Sequence, residues 1–375
     1  MNKAAGEQPG GADRHGGPLL ALADLRVSFS VLRERTRVSL EAVRGVSFTL
    51  ARGECLGIVG ESGSGKSVST QAAAGLLPHN AAVRGSVRYE GKELLGRDTA
   101  FLREYRGRRI GMIFQEPGRS YDPLQNMGSV FLETFRNREP GISKREGAER
   151  AAALLAETGL PGGRDRLSNF PHQFSGGQLQ RISIALALAQ GCELLIADEP
   201  ATALDVTIQK QIVELLKSLR QRRAISIIFI SHDIDLVAEL SDRIMVMYGG
   251  LVMEAGPRSA VAGAGAHPYT RALLAAAPRF GSHYSRGRLR TIPGRVADPA
   301  RPEPGCPFAP RCPLAAPACV RGIPPLRPLQ GEDPAAGIHE TRCLMDTAAP
   351  PEAPAGGGRA ARGIRDAAAG EAPCP

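Results

Sequence analysis

Three short stretches of the chain are continuously apolar, and each ends at a polar or glycine position. They are CLGIVG (55–60), ELLIAD (193–198) and SIIFISH (226–232). Runs of this length are typical of strands buried on both faces of a parallel sheet. Their last residues are Gly60, Asp198 and His232. Because ligands of open α/β sheets bind beyond the carboxyl ends of the strands, the pattern predicts an α/β core with a site at that edge.

Other apolar segments follow different periods. The stretches 19–31 and 40–50 cluster Val, Leu and Phe between turn signals, and GSVRYEGKEL (85–94) ends in a turn, which predicts an antiparallel layer. The segment 118–190 is predicted to be helical with Pro and Gly breaks. In 204–221, apolar residues at helical spacing predict a stripe that faces the core. The stripe consists of Ile208, Ile212, Leu215, Leu216 and Leu219.

Changes in composition suggest the domain boundaries. Residues 1–17 are Gly-rich and polar, and residues 346–375 are rich in Ala, Pro and Gly, so we predict that both ends are disordered. Residues 18–255 are predicted to form the main α/β domain, which contains a helical subdomain at about 118–190. Residues 256–345 form a Pro-rich extension with four cysteines.

Net charge and hydropathy limit the kinds of partner. The 375-residue chain carries a formal charge of +9, which would suit nucleic acid or an anionic membrane, but its arginines are scattered. A denser group at 97–109 could face lipid head groups or a partner, and we interpret it as a solvated surface. No stretch approaches the ~20 apolar residues that span a bilayer, and the N-terminus is unlike a signal peptide. We expect a cytoplasmic protein whose cysteines form no disulfide framework.

The segment GESGSGKS (60–67) fits the pattern G-x-x-x-x-G-K-[ST] between an apolar strand and a predicted helix. Its glycines let the backbone form a nest whose N–H groups meet phosphate oxygens. Lys66 can reach the terminal phosphates, and the Ser67 hydroxyl can ligate Mg²⁺. The alternative, a chance Gly-rich turn, is disfavoured by this context. The predicted nucleotide-binding residues are Gly60, Glu61, Ser62, Gly63, Ser64, Gly65, Lys66 and Ser67.

Two adjacent carboxylates end the strand in LLIADEP (194–200). Asp198 can hold the Mg²⁺ shell, while Glu199 is placed to polarise an attacking water. Because Glu199 is a carboxylate and not an amide, we expect hydrolysis to be intact. His232 could bond the γ-phosphate or orient Glu199, although such a His alone is more often structural. Gln115, in MIFQEP, could reach the metal or the water.

A second anion-binding helix start occurs in FSGGQLQR (174–181), where a serine and two glycines precede a helical run. No phosphate-binding motif close to this segment in the sequence requires a second helix start of this kind. We therefore predict that it binds the nucleotide of another protomer, so that two domains packed head to tail close each other's sites. The residues that would cap the γ-phosphate across the interface are Ser175, Gly176 and Gly177.

Order and spacing of these motifs resemble the nucleotide-binding domain of ABC transporters over about residues 19–255. The resemblance implies an α/β P-loop NTPase (ABC ATPase) core with an antiparallel β subdomain and an inserted helical subdomain, and an ATPase that uses Mg²⁺. By this resemblance, Gln115 corresponds to the Q-loop glutamine of the family, and His232 corresponds to the switch histidine. FSGGQ is the signature, which adds Gln178 to the nucleotide contacts, and Asp205 belongs to the D-loop TALD.

The same resemblance implies an aromatic residue that stacks on adenine. Phe29, which closes RVSF (26–29), is our candidate, and Phe48 is the structural competitor.

A finer resemblance is to the ATPases of oligopeptide and dipeptide importers, a group that also serves nickel uptake. It rests on LGIVGESGSGKS, LLIADEPATALDVTIQ, HPYTRALL (267–274), IPG (292–294) and GCPFAPRCPLAAPAC. Leu179 and Ala201 depart from the group's usual Arg and Thr, and neither removes a catalytic group.

The resemblance also implies partners and a location. The expected partners are a second ATPase subunit, often a different chain, two membrane permease subunits and an extracytoplasmic solute-binding protein. We therefore expect a peripheral protein on the cytoplasmic face of the bacterial inner membrane, without a nucleic-acid partner. The solute itself stays undetermined.

The extension holds four cysteines whose spacing is wider than the C-x2-4-C pairs of structural zinc. They are Cys306, Cys312, Cys319 and Cys343. Cys–Pro contacts and wide spacing favour a [4Fe–4S] cluster, and the resemblance implies one too, because some relatives in this group carry it. Zinc and unligated thiols are the alternatives.

A soluble ABC ATPase that acts on nucleic acid or ribosomes is the rival hypothesis, because the basic charge would permit it. Such proteins tend to carry coiled coils, inserted zinc modules or two cassettes, whereas this chain has one cassette and no sustained heptads.

Overall fold

The computed structural model describes most of the chain. The described ranges are 17–33, 35–202, 204–277, 291–329 and 337–345. The segments predicted to be disordered, 1–17 and 346–375, lie outside these ranges except for Gly17.

The strands are β1 (Leu20–Arg33), β2 (Thr36–Leu50), β3 (Cys55–Val59), β4 (Ala81–Tyr89), β5 (Lys92–Glu93), β6 (Ile110–Ile113), β7 (Leu194–Asp198), β8 (Ser226–Ser231), β9 (Arg243–Tyr248), β10 (Leu251–Pro257), β11 (Arg327–Pro328) and β12 (Glu340–Thr341). The helices are α1 (Lys66–Ala73), α2 (Thr99–Arg103), α3 (Met127–Arg136), α4 (Lys144–Glu157), α5 (Gly176–Ala189), α6 (Val206–Arg223), α7 (Ile234–Leu240), α8 (Arg258–Gly263) and α9 (Pro268–Ala276).

The central layer is a mixed sheet with the strand order β11-β12-β10-β9-β3-β8-β7-β6. Strands β9, β3, β8, β7 and β6 run parallel to one another, whereas β10 is antiparallel to β9. Every residue of β3, β7 and β8 is buried, which confirms the prediction from their continuous apolar runs. Val59 pairs with Ser231, and Asp198 pairs with Ile230, so the carboxyl ends of these strands meet at one edge.

The second layer is an antiparallel sheet with the order β2-β1-β4-β5, as the alternating segments near the N-terminus predict. β4 and β5 are joined at Glu90 and Gly91, which have φ values of 49° and 77°. Two positive φ values suit the tight hairpin turns that connect antiparallel strands. The buried faces of this sheet, of α1 and of the central sheet form one hydrophobic cluster around Leu25, Ile58 and Tyr89.

Three capped helices lie between β6 and β7 and pack around their own small core. Asn126, Ser143 and Ser175 each accept a hydrogen bond from the third helical N–H of α3, α4 and α5. Phe131 and Ile182 are fully buried between these helices. On α6 the predicted stripe faces the main core with Ile212, Leu216 and Leu219 buried, while Ile208 and Leu215 are half-buried.

The segment after β10 packs on the main sheet. β12 pairs with β10 and β11, so the extension adds two short strands to the sheet edge. Phe308 is buried against Tyr248 of β9 and Tyr269 of α9, with ring centroids 5.5 Å and 5.1 Å away. These aromatic contacts belong to the same hydrophobic cluster as β7 and β8, so the extension shares the core of the α/β domain.

The structure gives no support to the iron–sulfur site predicted at the four cysteines. Within the described residues, no group of three or more His, Cys, Asp or Glu side chains is placed to hold a metal ion. Cys306 and Cys319 are buried in the main cluster and joined by a backbone hydrogen bond of 2.8 Å. Burial raises the pKa of Cys306 to about 11, and it raises the pKa of Cys312 and of Cys343. The described part of the chain therefore supports neither an iron–sulfur cluster nor a zinc site at these cysteines.

His267 is expected to make the stability of the start of α9 depend on pH. Its Nδ1 accepts the N–H of Tyr269 at 3.0 Å, and burial lowers the pKa of His267 to about 4 from 6.5. Glu254 opposes this shift and Arg342 reinforces it. Because the folded-state pKa is depressed, the stabilisation is complete above pH 6.5 and is lost as the pH falls towards 4, a loss on the order of 3 kcal/mol.

His267→Asn is expected to flatten that dependence, because asparagine keeps an N-cap acceptor but does not titrate. Thermal unfolding followed by circular dichroism at several pH values between 6.5 and about 4 measures this. The midpoint of the wild type should fall more steeply than that of the variant. Two parallel curves would contradict the assignment of this acid sensitivity to His267.

Candidate functional site

The phosphate loop lies between β3 and α1, where the predicted anion nest begins. Gly60, Gly63 and Gly65 have φ values of 158°, 78° and 97°, which disfavour side chains. A Cβ on Gly60 would lie 2.1 Å from the carbonyl oxygen of Met247, and one on Gly65 would lie 2.5 Å from that of Ala42. The loop therefore needs glycine both for its turns and for its close packing on neighbouring strands.

A cleft of about 520 Å³ opens over this loop. It is lined by Glu61, Ser62, Gly63, Ser64, Gly65, Lys66, Ser67, Val68, Gln115, Glu199 and His232. The structure thus brings together most of the residues that the sequence predicts for one chain's share of the site. Gly60 and Asp198 lie directly behind this lining, in contact with Lys66 and Ser67.

Lys66 is the buried cation of the cleft. Its ammonium group donates to the carbonyl oxygens of Gly60 at 2.7 Å and Glu61 at 3.0 Å. Burial lowers the pKa of Lys66, while the nearby carboxylates of Glu199 and Asp198 oppose that shift. A positive group held at the base of a glycine nest fits the polyphosphate chain of a nucleotide.

Ser67 and Asp198 form the pair that suits Mg²⁺. The Ser67 hydroxyl donates to Asp198 Oδ1 at 2.7 Å. Burial raises the pKa of Asp198, which the hydrogen bond from Ser67 partly offsets. A hard cation would relieve the cost of this buried carboxylate, so the donor set of hydroxyl and carboxylate oxygens fits magnesium.

Glu199 is the centre of a polar group at the same edge. Its Oε2 accepts from Gln115 Nε2 at 3.3 Å and from the Thr202 hydroxyl at 2.8 Å, and it lies 3.3 Å from His232 Nδ1. The hydrogen bond to His232 lowers the pKa of Glu199 and raises that of His232. Glu199 has φ 48°, so its backbone is in the left-handed region, which is strained for glutamate. An ionised carboxylate is therefore held in a fixed position over the cleft.

The predicted signature lies at the start of α5 and is separate from this cleft. Ser175 and Gln178 form a capping box, in which Ser175 N–H donates to Gln178 Oε1 at 3.0 Å and Gln178 N–H donates to Ser175 Oγ at 3.4 Å. Ser175 and Gly176 are exposed, and Gly177 is half-buried beside Ile208. None of these residues lines the cleft of its own chain.

Phe29 and Asp205 also lie outside the cleft lining. Phe29 is half-buried on β1 and packs against the core of the antiparallel layer, while Phe48 is buried there. Asp205 caps α6 by accepting the N–H of Ile208 at 3.0 Å. The roles predicted for Phe29 in adenine stacking and for Asp205 at the nucleotide stay predictions.

Three contacts of the site were missed by the sequence reasoning. Thr202 bonds Glu199, Tyr269 accepts the N–H of Glu61, and Arg311 pairs with the Glu61 carboxylate. Thr202 stands in the TALD segment, and Tyr269 stands in HPYTRALL, so both lay in motifs already singled out. No local pattern connects Arg311 with a loop 250 residues earlier.

Fold and cleft together define an ATP-binding cassette ATPase. The family profile described as "ABC transporter" matches residues 43–202, and the profile described as "Oligopeptide/dipeptide transporter, C-terminal region" matches residues 253–319. The chain belongs to the family of ATP-binding proteins of oligopeptide and dipeptide ABC transporters. Within the described residues, no helix is long and apolar enough to cross a membrane.

The alignments with curated relatives span most of this chain and most of each relative. The dipeptide transport ATP-binding protein DppD of Bacillus subtilis (strain 168) is 40% identical over 329 residues, which are 87% of this chain and 94% of that protein. OppD of the same organism, an oligopeptide transport ATP-binding protein, is 43% identical over 310 residues, or 82% of this chain and 85% of that one. A Brucella abortus (strain 2308) protein named for peptide import is 45% identical over 309 residues, or 82% and 91%.

Among solved structures, the cassette MJ0796 in a dimeric post-hydrolysis state with ADP and Pi is similar. It has a TM-score of 0.57 and 26% identity, and the alignment covers 64% of this chain and 98% of that one.

Proposed function

We propose that this chain is the ATP-hydrolysing subunit that powers uptake of oligopeptides or dipeptides through partner membrane subunits. The observation that carries the proposal is the meeting of Lys66, Glu199 and His232 in one cleft, with Asp198 directly behind it, in a chain that also matches the peptide-transporter C-terminal region. Its location would be the cytoplasmic face of the inner membrane. Nickel or another small solute is the second candidate cargo, because the chain shares its motifs with a group of importers that also serves nickel uptake.

Each residue of the cleft has a proposed role. The phosphate loop and Lys66 bind the phosphates. Ser67, Asp198 and Gln115 would hold Mg²⁺, which would neutralise phosphate charge. Glu199 takes the proton from the attacking water as general base, and His232 orients Glu199 through the bond at 3.3 Å.

The second half of the site comes from a partner cassette. Ser175, Gly176 and Gly177 present exposed or half-exposed backbone at a helix N-terminus that their own chain leaves unused. A helix start of this kind favours a phosphate group. We infer that the chain works in a pair, with a similar or a different ATPase subunit, whose nucleotide it caps. Two permease subunits and an extracytoplasmic solute-binding protein complete the proposed assembly.

We assign no role in this function to an iron–sulfur cluster, since no group of three or more ligating side chains in the described part of the chain is placed to hold a metal ion. Nucleic-acid binding receives no support from the arginines at 97–109. Arg106 donates to the carbonyl oxygen of Ala74 at 3.0 Å, and Arg109 donates to Glu90 at 2.6 Å, so both are engaged within the protein.

Reconstitution tests the proposal directly. The chain, its candidate partner ATPase and the candidate permeases are placed in proteoliposomes, and uptake of a labelled peptide is measured with and without Mg-ATP. We expect ATP-dependent peptide accumulation, and competition by peptides rather than by nickel. Salt-sensitive binding of RNA or DNA together with absent peptide uptake would favour the soluble rival.

A further inference from the structure

Three stretches of the extension that ATP hydrolysis does not explain converge on one residue of the phosphate loop. They are HPYTRALL, IPG and the APR segment of GCPFAPRCP. Tyr269 from the first accepts the backbone N–H of Glu61 at 2.8 Å. Arg311 from the third pairs with the Glu61 carboxylate, while carbonyl oxygens of the second hold Arg311.

The guanidinium group of Arg311 is fully satisfied in this position. Nε donates to the carbonyl oxygen of Pro293 at 2.7 Å, and Nη2 donates to that of Ile292 at 3.0 Å and to Glu61 Oε1 at 3.1 Å. Nη1 donates to Glu61 Oε2 at 2.6 Å and to the Tyr248 hydroxyl at 3.1 Å. The five N–H donors thus bond five acceptor atoms. The contact with the Glu61 carboxylate is bidentate, which is the strong and directional form of an arginine–carboxylate pair.

The surroundings make the pair costly to break. The Arg311 side chain is only 3% exposed, and its guanidinium carbon lies 5.6 Å and 5.8 Å from the ring centroids of Tyr248 and Phe308. A Cβ on Gly294 would lie 2.9 Å from Arg311 Cγ, so the glycine of IPG leaves room for the side chain. A charge buried to this degree is tolerated because it is paired and hydrogen-bonded.

Glu61 is therefore fixed at every polar group. Its N–H donates to Tyr269, its carboxylate accepts from Arg311, and its carbonyl oxygen accepts from the Lys66 ammonium. Glu61 also lines the cleft in which the phosphates are expected. Without Arg311, an uncompensated carboxylate would face an anionic ligand, and their repulsion would weaken binding.

We propose that Arg311 is a positioning residue of the ATP site, through which the C-terminal extension neutralises and orients Glu61 and holds the phosphate loop ready for nucleotide. The extension is then part of the nucleotide site in its own chain, in addition to any contact it makes elsewhere. This inference rests on the proposed function, since it assumes that the cleft binds ATP.

The experiment measures the Kd of a fluorescent ATP analogue for the full-length chain and three variants. Arg311→Met removes the charge and keeps the volume, and Kd should rise about 10-fold, within the usual range for coupled sites. Glu61→Gln removes the carboxylate that Arg311 neutralises and is the single-variant reference for the double variant. In E61Q/R311M the Kd should lie within about 3-fold of the Kd of Glu61→Gln, because the repelling carboxylate is gone.

Matched controls separate the possible failures. Arg321→Met removes an exposed arginine of the same extension and should leave Kd unchanged. Lys66→Ala should abolish binding. If Lys66→Ala still binds ATP, the proposed function fails. If Lys66→Ala does not bind ATP but Arg311→Met has an unchanged Kd, only this inference is overturned.

Folding is checked by circular dichroism for every variant. If Arg311→Met does not fold, Tyr269→Phe decides, because it keeps the ring and removes only the acceptor for Glu61 N–H. Its Kd should rise about 3-fold, as expected for one lost hydrogen bond. An unchanged Kd for Tyr269→Phe, or a double variant as weak as Arg311→Met, would show that the extension only stabilises the fold.

Discussion

Glu199→Gln is expected to lower ATP turnover on the order of 10³-fold, because the substitution removes a general base and keeps its shape. The amide can still contact Gln115, Thr202 and His232, so the strained backbone at this position should be retained. ATP binding should persist, since Lys66 and the phosphate loop are unchanged. Turnover by phosphate release and Kd by nucleotide fluorescence measure the two effects separately.

Peptide uptake in the reconstituted assembly should stop with turnover. Glu214→Gln is the matched control, because Glu214 is an exposed carboxylate on α6 that pairs with Lys217 away from the cleft. Its turnover and uptake should equal those of wild type. Uptake that continues undiminished in Glu199→Gln would defeat the proposed role of this carboxylate and the coupling of hydrolysis to transport.

The central sheet and the phosphate loop could be predicted because their signals are local. A strand buried on both faces must be apolar throughout, and β3, β7 and β8 are. The parallel arrangement then puts Asp198 and Glu199 beside the loop after β3, as the sequence implied. Helix spacing on α6 and the turn at Glu90 and Gly91 were readable for the same reason.

Contacts over long sequence distances could not be predicted in this way. The position of Arg311 beside Glu61 depends on how the extension folds back over β9. No hydrophobic periodicity in the sequence predicts that arrangement. The four-cysteine prediction stays unsupported for a related reason. Spacing suggested a shared ligand set, but Cys306 and Cys319 pack as small apolar side chains in the core.

The two departures from the group's usual residues are explained by burial. Leu179 is 8% exposed and packs in the core of the helical layer, and Ala201 is 4% exposed in the main core. Neither lines the cleft. Apolar side chains at these positions therefore serve packing and leave the catalytic group around Glu199 unaltered.

Ser175→Arg is expected to lower turnover of the assembled pair on the order of 10²-fold. An effect of this size is typical when one group that stabilises a transition-state charge is lost. ATP binding by the separate chain should be unchanged, because Ser175 is exposed and lies outside the cleft of its own chain. This contrast distinguishes Ser175 from Lys66, whose loss should remove binding. Nucleotide fluorescence on the single chain and phosphate release from the pair give the two readouts.

Ser143→Arg is the control for the lost helix cap. Ser143 caps α4 as Ser175 caps α5, both helices have 14 residues, and both serines are exposed. Each substitution removes one N-cap, a change worth about 1 kcal/mol, so both should lower stability alike. Only Ser175→Arg should lower turnover about 10²-fold, because only α5 begins where a partner's phosphate is expected. Full turnover by Ser175→Arg, or by a chain that light scattering shows to be a monomer, would refute the shared site.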